Sequence, residues 1–278
     1  MYYSNLKSMS NILSVFLFSL VLVSCDNNYK TIEINQNVSK NVIKNKRLIK
    51  ISENLHGLWV SDNFLKNIEN SKSVFLSRNY DTKILGFYLD KKSMKSDSPF
   101  LEGFTDHEGG YISPIRFNYL KEKFVNNMAK LSKSAFFPDP FELNYNGENI
   151  LEMYFPKTKT SDTYRKLNSD FQTEMRKLLI SGIYKTKNDN SEIHFDKNGK
   201  VQNFKDFKYY ELVTDFGLNI EYDALILFNN ENGGNWSEGE IYKFEIISKN
   251  LQLQRVQTNW ESMEHEISNE IVILECEN

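Results

Sequence analysis

The sequence predicts a mainly β protein: two tandem small antiparallel meander β-barrels with a few short helices, behind an N-terminal leader and tether. Three observations carry that expectation. The 278 residues include 38 aromatics and only three alanines, a composition that favours sheet over helical bundles. The second half divides into about eight short alternating segments with turn residues between them. One pattern (aliphatic, polar, Gly, aliphatic, aromatic) occurs twice, at Leu55-His56-Gly57-Leu58-Trp59 and at Ile180-Ser181-Gly182-Ile183-Tyr184, an offset of 182 − 57 = 125.

The chain opens with an apolar run from Ile12 to Val23, broken only by Ser14 and Ser19. Twelve helical residues reach about 18 Å, short of a hydrocarbon core of about 30 Å, so residues 1–24 read as a signal peptide. The run ends in Leu22-Val23-Ser24-Cys25, which resembles the lipobox of bacterial lipoproteins. The resemblance implies cleavage before Cys25, lipidation of its thiol, and a membrane partner reached through that N-terminal anchor. It implies a lipid-anchored protein of the bacterial cell envelope, at the outer membrane, with the periplasmic or surface face left open. Residues 25–47 are rich in Asn and Lys and lack Gly and Pro. They read as a flexible tether of roughly 25 Å root-mean-square span. With Cys25 acylated, Cys276 has no disulfide partner. At strand period it shares a face with Val272 and Leu274, as a buried inert thiol does.

The repeat sets the domain boundaries: 48–168 for a first β domain with helical insertions, 169–278 for a second with a lead-in helix. Residues 47–53 form a short helix or strand ahead of the first. A second match, 141–145 with 149–150 against 242–246 with 250–251, lies at an offset of 101. The missing 125 − 101 = 24 residues point to extra material in the first copy, supplied by two helical patterns. One follows Ser61, with Phe64, Leu65 and Ile68 on one face. The other holds Leu120, Phe124, Met128 and Leu131. In the second copy, strands are expected at 182–187, 191–195, 201–204, 209–214, 223–228, 241–247, 251–256 and 270–276, with Asn198-Gly199 as a hairpin turn. The lead-in helix has Ser169 and Gln172 as a capping-box pair and Phe171, Met175, Leu178 and Leu179 on its apolar face. The second copy, about 110 residues, is of a size to fold alone.

Gly-x-Trp on the first strand of a small meander barrel resembles the lipocalin-like (calycin) pattern, and in particular lipocalin-like bacterial lipoproteins. That resemblance implies a barrel floor closed by an Arg on the aromatic ring: Gly57, Trp59 and Arg165 in the first copy, Gly182, Tyr184 and Arg255 in the second, where Tyr replaces Trp. It also implies a small apolar or amphipathic ligand inside a barrel. Phe64, Phe124, Phe136 and Phe137 are the ligand or lid candidates, the first two on the helices that would cover the barrel end.

The formal net charge of −3 gives no reason to expect a nucleic-acid partner. Catalytic and metal constellations are thin. Asp106-His107-Glu108-Gly109-Gly110 reads as a polar loop, and Glu261, Glu264, His265 and Glu266 as a solvated face. His56 and His194 read as structural. No nucleophile elbow, phosphate loop, dinucleotide fingerprint or Cys-x-x-Cys occurs. The reading is therefore non-catalytic, with no cofactor and no metal. The alternative to ligand binding is an envelope protein partner docked on the outside of filled barrels.

Overall fold

In the computed structural model the described residues are 46, 48–78, 84–96, 99–105, 110–121, 123–126, 140–147, 149–187, 191–215, 220–230 and 236–277. The first half begins with a helix over residues 48–55 (α1). It continues through β1 (Gly57–Ser61), α2 (Asp62–Ser71), β2 (Gly86–Leu89), the single turn α3 (Lys91–Met94), β3 (Phe100–Phe104), β4 (Tyr111–Asn118), β5 (Lys123–Asn126), β6 (Glu142–Gly147), β7 (Ile150–Phe155) and β8 (Thr160–Lys166). Each strand pairs antiparallel with the next, and β8 returns to β1 through Trp59↔Lys166, Val60↔Arg165 and Ser61↔Tyr164. The result is a closed eight-stranded barrel.

The second half opens with α4 (Phe171–Leu179) and has eight strands: β9 (Gly182–Thr186), β10 (Glu192–Phe195), β11 (Val201–Gln202), β12 (Tyr209–Leu212), β13 (Ala224–Phe228), β14 (Glu240–Ile247), β15 (Asn250–Asn259) and β16 (Glu264–Cys276). Their order is β11-β10-β9-β16-β15-β14-β13-β12. The first strand again pairs with the eighth, through Leu274↔Thr186, Glu275↔Lys185 and Cys276↔Tyr184. The two segments matched at offset 101 are the sixth and seventh strands of each half. Closure is where the halves differ. The expectation of two closed barrels holds for the first sheet; the second remains an eight-stranded sheet whose ends, β11 and β12, meet at an isolated bridge between Lys200 and Tyr209.

Local chemistry explains the helices. The Ser61 hydroxyl accepts from Phe64 N and starts α2, and Lys72 ends it in the left-handed conformation. For α4 the N-cap is Asp170, whose carboxylate accepts from Thr173 N at 2.9 Å. Ser169 and Gln172 do not form the expected capping box. Ser169 Oγ bonds Glu174, while Gln172 Nε2 donates to Leu212 O at 2.9 Å and so ties the helix to β12. The helix expected over Leu120, Phe124, Met128 and Leu131 is replaced at its start by a turn and by β5. Phe124 pairs across β5 with Phe117 on β4 and Leu143 on β6. Met128 and Leu131 lie outside the described residues.

Two main cores result. The first fills the barrel with Trp59, Phe87, Leu101, Ile115, Phe124, Phe141, Leu143, Leu151, Met153, Phe155 and Tyr164. The second lies on the inner face of the other sheet, with Tyr184, Phe195, Tyr210, Leu225, Leu227, Tyr242, Phe244 and Leu253. It is completed by first-half residues: Val60 and Leu85, Phe64, Leu65 and Ile68 of α2, and Val74 beyond it. The second core thus draws on residues from both sides of position 168, and Asn45–Asn278 form one compact unit. A smaller cluster, with Val213, Ile220, Ile226, Phe228, Ile241 and Val256, covers the opposite face of β13 to β15.

Candidate functional site

The two Gly-x-aromatic segments share a device that reaches into the preceding helices. Trp59 Nε1 donates to Leu55 O at 2.7 Å, and Tyr184 OH donates to Ile180 O at 2.8 Å. Both acceptors lie four residues back, at the end of α1 and of α4. A buried indole or phenol needs an acceptor, and the last carbonyls of a helix lack intrahelical donors. Each satisfies the other, so Tyr serves where the first half has Trp. Burial pushes the Tyr184 phenol well above its ordinary value. Gly57 sits at φ +125°, and a side chain there would meet Lys166 Cε at 2.9 Å, so the position requires glycine. Gly182 has no such strain; a side chain there would touch the Tyr184 ring, 3.4 Å from Cε2.

The cation on Trp59 is not the expected one. Register sets Lys166, not Arg165, opposite Trp59. Lys166 Nζ lies 5.8 Å from the ring centroid and donates to Asn54 O at 3.0 Å. Burial lowers its ammonium pKa. Arg165 faces the other way, opposite Val60, and clamps α2. Its Nε and NH2 bond Asp62 Oδ1 at 3.0 and 2.6 Å, and its NH1 bonds Glu69 Oε1 at 2.7 Å. In the second half Arg255 is exposed and paired with Glu240 at 3.0 Å. Cations over core rings there include Arg176 of α4, 5.5 Å from the Tyr210 centroid, and Lys205, 5.3 Å from the Tyr242 centroid, and Tyr210 is raised to about 12, chiefly by burial.

Phe64 and Phe124 also take different places. Phe64 is buried in the shared core, stacked with Phe171 of α4 at 6.2 Å between centroids. The apolar stripe of α2 therefore covers the second sheet and is no lid on the first barrel. Phe124 sits inside the first barrel, edge-on to Phe117 at 5.2 Å, and Phe117 is in turn edge-on to Tyr119 at 5.0 Å. These three rings form one wall of an open cavity of about 490 Å³ at the barrel end. Leu48 and Ile49 of α1, Met94 and Pro99 complete its apolar lining, and Lys95 and Arg116 supply two cations at it. Lys95 shares its charge with Glu53 at 3.5 Å, whereas Arg116 has no ion pair among the described residues. Sequence reasoning found Phe124 but missed the cations, which no motif marks.

No match was found among family models, curated proteins or solved structures.

The remaining candidates are quickly placed. Cys25, Phe136, Phe137, Met128 and the loop Asp106–Gly109 lie outside the described residues. Cys276 is half-buried at the margin of the second core. His56 Nδ1 bonds Glu53 O at 2.6 Å, and His265 Nδ1 bonds Thr258 Oγ1 at 3.0 Å. Among the described residues no group of three or more His, Cys, Asp or Glu is arranged to hold a metal ion. The Glu142 carboxylate of β6 is bonded by Lys121 and Lys123, each at 2.5 Å, and these bonds hold it below its ordinary pKa.

Proposed function

We propose that the chain is a non-catalytic lipoprotein of the bacterial cell envelope, anchored to the outer membrane through lipidated Cys25, that binds a small amphipathic ligand at the end of its first barrel. One observation carries the ligand: an open apolar cavity of about 490 Å³ walled by Phe117, Tyr119 and Phe124 with Arg116 and Lys95 at its lining. The volume falls within the range of about 300–1,000 Å³ usual for small-molecule sites. An apolar wall beside Arg116, which has no ion pair among the described residues, suits a molecule with a hydrocarbon body and an acidic head. The lipocalin-like reading is kept for both halves. For the second it is supported by the common strand order, and Tyr210 N donating to Gly199 O and Val201 N to Lys208 O, at 2.7 and 2.8 Å, join its end strands in the manner of a closing barrel. Because the barrel interior is packed with side chains, the ligand sits at the mouth and not deep inside.

The packed interiors favour a second reading, an envelope scaffold that works through its outer surface. Residues 45–278 titrated with anilinonaphthalene sulfonate, an apolar anionic fluorophore, separate the two. Ligand binding expects saturable fluorescence that Arg116→Glu weakens at least tenfold and that Arg255→Glu leaves unchanged. Absence of saturable uptake would leave the scaffold reading standing.

A further inference from the structure

The hairpin of β15 and β16 is longer than its sheet requires. The corresponding strands of the first half, β7 and β8, close a barrel with 6 and 7 residues, whereas β15 and β16 have 10 and 13. β15 pairs with β16 from Leu251↔Leu274 to Asn259↔Glu264. On its other side β16 meets β9 only at Leu274, Glu275 and Cys276. Among the described residues, the outer edge of residues 264–273 therefore has no strand beside it. That edge is about 33 Å long at strand rise.

An uncovered edge of this length is a template for strand addition, which proteins commonly blunt with Lys, Pro or a covering element. Residues 257–277 contain no Lys, Arg or Pro and six glutamates. Ile267 and Ile271 are exposed along the edge strand. The ladder has one irregularity, a bulge opposite Gln254 and Val256, where Glu270 N donates to Ser268 Oγ at 3.1 Å. On either side of it, at 264–267 and 271–273, alternate residues of β16 turn their N–H and C=O groups away from β15. A second copy of the same strand would set carboxylate against carboxylate, a destabilising cross-strand arrangement.

We propose that the outer edge of β16, residues 264–273, is a docking site for an extended basic segment of a partner protein, which joins the second sheet as an added strand. The segment alternates Lys or Arg, facing Glu264, Glu266 and Glu270, with apolar residues that cover Ile267 and Ile271. Backbone hydrogen bonds supply affinity and the charge pattern supplies selection. The test uses the mature lipidated chain in nanodiscs of zwitterionic lipid and a ten-residue peptide of alternating Lys and Val. Expected are saturable binding, slowed amide exchange confined to β16, and at least tenfold weaker binding to Glu264→Lys/Glu266→Lys/Glu270→Lys. The same peptide N-methylated at alternate residues keeps its charge but cannot form a ladder, and should lose at least tenfold in affinity whatever the state of the variant. Equal binding of the methylated peptide, no protection of β16, or a homodimer in sedimentation that the peptide does not dissociate would overturn the proposal.

Discussion

Two carboxylates pin α2 and its following turn to the rest of the molecule, and they answer pH in opposite directions. For Asp62, burial alone would raise the carboxyl, but bonds from Lys66 and Arg165 outweigh it and hold it below its ordinary value. Its contribution is present above the unfolded-state pKa and is lost as pH falls through the folded one. Asp223, before β13, accepts from Val74 N and Phe75 N at 2.7 and 2.9 Å, both on Oδ1. Burial, with Glu245 adding to it, raises this carboxyl despite the hydrogen bonds it accepts. Its contribution is complete below the unfolded pKa and declines as pH rises through the raised folded value. Asp223→Asn keeps an oxygen for the two amides and removes the buried charge. It should be at least as stable as the parent at pH 7 and lose that advantage near pH 4. Asp223→Ala strands both N–H groups and should cost about 1–3 kcal/mol at either pH. Urea denaturation at the two pH values measures this; an Asn variant as weak as the Ala variant at pH 7 would contradict it.

At the scale of elements, α2 shows both the reach and the limit of sequence patterning. Ser61 as N-cap and the spacing of Phe64, Leu65 and Ile68 made the helix legible, because capping and amphipathic period are local. What its stripe covers was not legible, since its partners in the shared core, Phe171 of α4 among them, lie more than 100 residues away. The same limit explains why a turn and β5 stand at the start of the helix expected from Leu120. A spacing of four suggests a shared helical face, yet Leu120 is exposed in the turn after β4 whereas Phe124 is buried on β5. Pairing of β5 between β4 and β6 decided the matter. At the site, Gly57 and Trp59 were readable from their pattern. The choice of Lys166 over Arg165 depended on a one-residue register that no spacing announces. Phe64→Ala tests the new role of α2. It should cost about 3–5 kcal/mol and speed amide exchange in the second sheet. Normal exchange there, with loss confined to the first barrel, would mean that α2 does not support the second sheet.

Residues 45–278 form one compact unit with two sheets. Residues 169–278 alone leave the places of Val60, Phe64, Leu65, Ile68, Val74 and Leu85 empty, so the inner core of that sheet faces water at one side. Each fully buried aliphatic or aromatic side chain contributes about 1.5–3 kcal/mol; losing six exceeds the margin of an ordinary domain. The isolated fragment should therefore show weak near-ultraviolet circular dichroism and bind apolar dye, while residues 45–278 unfold in one transition. A cooperatively folding fragment with native near-ultraviolet signal would restore the picture of independent halves.

The placement of α2 also gives the chain a direction. Both halves run helix, Gly, aromatic ring and eight strands in the same cyclic order. Yet β1 is followed by a ten-residue helix that seals its neighbour, whereas among the described residues no helix lies between β9 and β10. Once that segment was in place, the two copies could no longer trade positions or be lost singly. Deleting the leading copy uncovers the trailing one, and deleting the trailing copy leaves an oily helix with nothing to seal. The asymmetry converts a repeat that could have grown or shrunk by whole units into a pair with fixed number and fixed order.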